Sequence, residues 1–204
     1  MTNRSGLARA AGVVGISVAA LAGTLAFGGG TASADTGYRP LEAGDLPASS
    51  TPWTAGALTA GAGDPLFCLE GVVSDRGTVR RDFRTELDTS ATQLIIERNS
   101  AAAARRTVNS LRAAIEDCAD GFERQHPDNT ADWVDYGGVA AGDGGHVYGI
   151  DSSHEGYTQD VHLFGVGREG DVVTVVVWGQ LGRLDSAPVE EFRDTTGTAV
   201  ERLG

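Results

Sequence analysis

The sequence predicts an α+β domain: a mostly antiparallel sheet with two main helices packed on one face, and one disulfide. Three observations carry that prediction. Ala104, Val108, Leu111, Ile115 and Cys118 recur at the three-to-four-residue spacing that places them on one helix face. Residues 159–165 and 171–180 are rich in Val and Leu, and the link between them suits only antiparallel neighbours. The chain has two cysteines, Cys68 and Cys118, which an export route oxidises into a pair.

Residues 1–34 read as a secretory signal peptide. Arg4 and Arg9 give a positive start, residues 10–27 carry no charge, and Ala32-Ser33-Ala34 fits the small-residue pattern, with cleavage after Ala34. The uncharged run also reaches the lower limit of a membrane span, so a retained anchor is the rival reading. No positive stop-transfer cluster follows it, and the expected mature chain has no stable membrane insertion. Residues 35–52, punctuated by Pro40, Pro47 and Pro52, read as a flexible N-terminal arm. Residues 53–204 read as a single α+β domain, long enough for one core.

Within that domain, Trp53 docks the arm and residues 58–63 suggest a short helical turn. Residues 66–73, LFCLEGVV, read as a strand carrying Cys68. Residues 78–87 and 92–97 form a hairpin. A helix follows, capped by Asn99 or Ser100 and ending on Cys118. A Cys68–Cys118 bond pins this helix to the sheet; closing a loop of about 50 residues stabilises by roughly 4 kcal/mol in the chain-entropy model. The rival reading is a thiol nucleophile, which lacks a local motif at either cysteine. Residues 119–132 read as a loop, and 133–136 as a short apolar segment ended by Gly137-Gly138. Residues 146–151, 159–165 and 171–180 are strands. The last contains VVTVVVW, apolar on both faces, and is therefore central. From Pro188 to Leu203, Val189, Phe192, Thr196, Ala199 and Leu203 share one face of a closing helix.

Composition narrows the chemistry. The net charge of −12 becomes −14 without Arg4 and Arg9, which argues against nucleic acid and anionic lipid as partners. All sixteen basic residues are Arg, so lysine chemistry is absent. Residues 165–170 match G-x-G-x-x-G, but a strand follows where a dinucleotide site needs a helix, so the match reads as a hairpin turn. His126, His146, His154 and His162 include no i, i+4 pair, and two cysteines are too few for structural zinc. Asp151, Ser152, His154 and Glu155 cluster in one turn without a nucleophile elbow. No catalytic residue, metal site or cofactor is assigned.

What remains is binding. The hairpin carries Arg76, Arg80, Arg81 and Arg84; Arg80 and Arg84 are candidates to receive a carboxylate or phosphate, against the alternative of a solvated strand edge. Trp133, Tyr136, Tyr148 and Trp178, with Trp53 and Tyr157, are candidates to line a pocket, against the alternative of core.

The order of these features resembles one known family. The Leu46-Pro47 arm leads to Trp53, then come the segment with Cys68, the strand 93–98, the alanine-rich helix ending in Cys118, paired strands and a closing helix. In this order and in cysteine placement the chain resembles the PknH-like extracellular sensor domains of actinobacterial secreted proteins, lipoproteins and receptor kinases. The resemblance covers residues 40–204 and rests on no sharp motif. It implies an antiparallel α+β domain with a ligand cleft, and a secreted, non-enzymatic, sensor-like binding module. The expected partner is a small ligand or a cell-envelope component; the alternatives are a secreted hydrolase or an envelope interaction factor. Receptor members of that family carry two disulfides and a membrane tether; this chain has cysteines for one bond.

Overall fold

A computed structural model describes residues 37–154 and 158–204. The expected signal peptide, and the turn residues Glu155 and Tyr157, lie outside the described residues. The described chain forms eight strands and three α-helices. In order they are β1 (Thr54–Ala55), β2 (Thr59–Ala60), β3 (Thr78–Arg84), β4 (Ser90–Glu97), α1 (Ala101–Glu116), α2 (Cys118–Gln125), β5 (Thr130–Val139), β6 (Gly145–His154), β7 (Thr158–Glu169), β8 (Val172–Leu181) and α3 (Val189–Glu201).

The strands make one antiparallel sheet in the order β1-β3-β4-β8-β7-β6-β5, with β2 also on β3. The apolar run of β8 lies in the middle, as its two-sided pattern requires. Val173, Val175 and Val177 face one way, where they meet Val108, Leu111 and Ile115 of α1. Val176 and Trp178 face the other way, where they meet Phe192 and Ala199 of α3. The helices therefore cover opposite faces, and the expectation that both lie on one face is corrected. The strand period of two sends alternate side chains to two separate cores, and a double-sided apolar strand needs a cover on each. Burial of Val108, Leu111 and Ile115 stabilises the fold by roughly 1.5–3 kcal/mol each.

Helix α1 begins where expected. The Ser100 hydroxyl accepts the Ala103 N–H at 3.3 Å, a side-chain cap on a free first-turn donor. It stops at Glu116, and α2 starts at Cys118, so residues expected to loop are helical. Cys68 and Cys118 are bonded. Residues 66–73, however, are turns and not a strand, and Cys68 itself has φ +63. Gly71, also left-handed, is a second point at which the run turns away from an extended path. The disulfide thus ties a strap, not a sheet strand, to the junction of α1 and α2. Residues 58–63 likewise form no helical turn, and Thr59 and Ala60 pair with β3 instead.

Residues 37–52 are not a flexible arm. Leu41 is fully buried and Leu46 nearly so, both on the α3 face. The buried Gln93 amide oxygen accepts the Leu41 N–H at 2.8 Å, and its nitrogen donates to Thr174 Oγ1 at 3.2 Å. Arg202 of the closing helix binds the Pro40 carbonyl and Asp45. Proline content marked this stretch as irregular, and its buried side chains make it part of the domain.

The G-x-G-x-x-G stretch is the β7–β8 hairpin. Its first two glycines have a packing role on the α3 face. A Cβ on Gly165 would come within 2.2 Å of Thr196 Oγ1, and one on Gly167 within 2.3 Å of Val200 Cγ2. Without those Cβ atoms α3 can sit directly on the sheet.

Candidate functional site

Strand β5 is one edge of the sheet, and it runs through Gly137-Gly138 rather than ending there. A bulge lies between Asp135 and Gly137, where Gly137 has φ +88 and donates its N–H to Asp135 Oδ1. The edge is blunted at both ends. Glu123 Oε1 accepts the Ala131 N–H, and Arg193 donates to the Tyr136 and Gly138 carbonyls. Between these caps Trp133 and Val134 remain 37% exposed.

The register of β5 on β6 builds a ladder of rings on the α1 face. Asp135 sits opposite Tyr148, and Trp133 opposite Ile150. Trp133 stacks with Tyr148 at 6.1 Å between centroids and 25° between planes. Tyr148 stacks with His146 at 4.6 Å and 22°. Gly138 lies opposite His146 and carries no side chain, which leaves room for the imidazole. The His146 Nε2 and Asp135 Oδ1 atoms are 2.5 Å apart.

Arg112 of α1 completes the group. Its Nε is buried without a hydrogen-bond partner, and its charge acts on both Asp135 and Tyr148. Burial raises the Asp135 carboxyl, but the His146 bond, the Gly137 N–H, and the His146 and Arg112 charges outweigh it and hold the group below the usual range. Burial raises the Tyr148 phenol, with Arg112 opposing and Glu116 and Asp135 reinforcing. Tyr148 is 1% exposed and backs the Trp133 indole, which reaches the surface. An indole face takes a flat or C–H-rich ring, and a guanidinium takes a carboxylate or phosphate.

The other sequence candidates lie elsewhere. Arg80 is on the α1 face but is spent on Asp82 and on the Ala62 and Asp64 carbonyls. Arg81, on the opposite face, binds Gly56, Leu41 and Glu42. Arg84 is exposed at the end of β3, opposite Ser90. Trp178 and Tyr136 belong to the α3 side of the sheet, and Trp53 donates to the Pro47 carbonyl. Trp133 and Tyr148 are therefore the two candidates brought together. Asp135, His146 and Arg112 were missed. Their convergence depends on a bulged hairpin register and a helix placed by the tertiary fold.

A second concentration of rings surrounds the disulfide. Phe67 lies over His162 at 4.7 Å, and its ring meets that of Phe122 nearly at right angles at 6.0 Å. Phe122 also touches His126 and His154. His154 Nδ1 is 3.1 Å from the Asn129 amide nitrogen, and Asp151 accepts the Leu184 N–H, so that expected turn cluster is occupied by structural bonds. Among the described residues no group of three or more His, Cys, Asp or Glu side chains is placed to hold a metal ion.

No protein-family model matches the chain, and no curated protein sequence matches it. Among solved structures it is similar to the extracellular domain of PknH from Mycobacterium tuberculosis. The identity is 11% and the TM-score 0.43, over 78% of this chain and 96% of that one. At that level nothing about ligand or role passes from one chain to the other.

Proposed function

We propose that the chain is a secreted, non-enzymatic binding module for a small ligand or cell-envelope component, engaged through the Trp133–Tyr148–His146 ladder. One observation carries this reading. A half-exposed indole is backed by a buried stacked ring, and the Arg112 charge acts on that backing ring and on Asp135 next to it. Secretion, with cleavage after Ala34, is supported by the N-terminal pattern and by the disulfide, a bond of oxidising compartments. No helix among the described residues is long and apolar enough to cross a membrane.

A thermal-shift screen of the full chain with peptidoglycan fragments, sugars and sugar acids tests the reading. Stabilisation by a compound carrying a ring and an anionic group, diminished in Arg112→Gln, supports it. A flat response across the panel, identical in both proteins, overturns it. The Asp135–His146 pair favours one alternative, a hydrolase using His146 as base. Turnover of generic ester or glycoside substrates that disappears in His146→Gln would establish that instead.

A further inference from the structure

We infer a second binding site, independent of the ladder: the cleft beside the disulfide takes a small organic cation with an apolar body. The cleft has a volume of 450 Å³ and lies between the 65–70 strap and the α1–α2 junction. That volume falls in the range of small-molecule sites. Its walls are Phe67, Phe122 and the Cys68–Cys118 bond. The two phenyl rings meet at 83° with centroids 6.0 Å apart, and both contribute to the wall of the cleft. A cation set against such faces is attracted by the ring quadrupoles.

Charge selects the occupant. The carboxylates lining the cleft, Glu70 and Asp117, are both exposed, and the guanidinium of Arg124 lies behind Gly121 on the α2 side. The Asp117 side chain makes no capping bond to α2, so it is free to serve a ligand. The negative balance of the whole chain raises the local concentration of cations further. A carboxylate ligand meets repulsion from the same two groups, which separates this cleft from the ladder with its guanidinium.

Gly121 supplies a clean probe. It lines the cleft from α2 with an ordinary helical φ, and a Cβ there would meet only the flexible end of Arg124, at 3.8 Å. Gly121→Leu therefore plugs the cleft while improving helix propensity.

The test is an NMR titration of the full chain with benzyltrimethylammonium, 3-phenyl-1-propanol and 3-phenylpropionate. The expected result is a saturable shift of the Phe67, Phe122 and His126 signals by the ammonium in the millimolar range, at least about tenfold tighter than by the alcohol. The shift weakens with salt, falls in the Glu70→Gln/Asp117→Asn protein, vanishes in Gly121→Leu, and is unchanged in Trp133→Ala. If Gly121→Leu misfolds by circular dichroism, Ala114→Leu, from the α1 wall, replaces it. Equal binding of the alcohol or propionate overturns the cation assignment. Shifts that persist in the plugged protein, or none at all, overturn the site.

Discussion

His146 lies flat on Tyr148, with ring centroids 4.6 Å apart, while its Nε2 reaches Asp135 Oδ1 at 2.5 Å. One hydrogen bond thus sets the orientation of the ring that lies on Tyr148, and Tyr148 in turn backs the exposed indole. The Asp135 carboxyl is held below its ordinary range in the folded chain. Its contribution is fully present above the unfolded carboxylate value, about pH 4, and is lost as pH falls through the lower folded value. Asp135→Asn should therefore flatten the pH dependence of the urea midpoint below about pH 4. An unchanged slope would show that the pair adds nothing to the fold.

His162 gives a second pH signature, in a higher window. Burial under Phe67 lowers its pKa, with Asp160 opposing, and its Nδ1 has no partner. The neutral ring is the folded form. Stability is full above the unfolded imidazole value, about pH 6.5, and declines as pH falls from there toward the lowered folded value, by at most about 1.4 kcal/mol per pH unit. His162→Phe should remove that decline between pH 6.5 and 5, read by denaturant midpoints. A decline that survives the substitution assigns it to other groups.

The disulfide tests the strap. Replacing both cysteines by Ala should cost about 4 kcal/mol, or roughly 8–16 °C in Tm for a domain of this size. Cys68 sits at φ +63, which favours glycine. Cys68→Gly/Cys118→Ala should therefore be more stable than the double alanine by up to about 1 kcal/mol. Equal melting of the two proteins would mean that the strap's backbone relaxes once it is released.

The closeness of α3 to the sheet rests on Gly165. Gly165→Ala forces Thr196 to move, and overpacking of this kind costs about 1–3 kcal/mol. The paired change Gly165→Ala/Thr196→Ala removes both the Oγ1 and the Cγ2 that the new Cβ meets and should recover part of the loss. Calorimetry of the two proteins decides it, and no destabilisation in Gly165→Ala would place α3 farther from β7.

Legibility in the sequence followed how local each signal is. The stripe of α1, its Ser100 cap, the central place of β8 and the cysteine pairing are carried by nearby residues or by the simple cysteine count, and the structure has them all. The placement of α1 and α3 on opposite faces depends on which alternate residues of β8 each one meets, and periodicity within one helix is silent on that. Residues 66–73 have strand composition but a disulfide-held turn conformation. In the site, aromatic type singled out Trp133 and Tyr148, but so it did Trp178, which is core. Arg80 reads as a ligand group in the sequence, which does not show the carbonyls it binds. Arg112 lies off the apolar stripe of α1, and nothing in the helix pattern shows the neighbours that β5 and β6 bring to it.

The ladder as a binding surface is tested most directly by tryptophan emission. Trp178 is buried, Trp53 is tied to Pro47, and Trp133 is the indole that faces solvent. The full chain is titrated with cell-envelope saccharide acids, alongside Arg112→Gln and Trp133→Phe. The predicted result is a saturable emission change in the wild type, with a midpoint at least about tenfold weaker in Arg112→Gln and no emission change in Trp133→Phe. The same midpoint in Arg112→Gln, or the same emission change without Trp133, would contradict it.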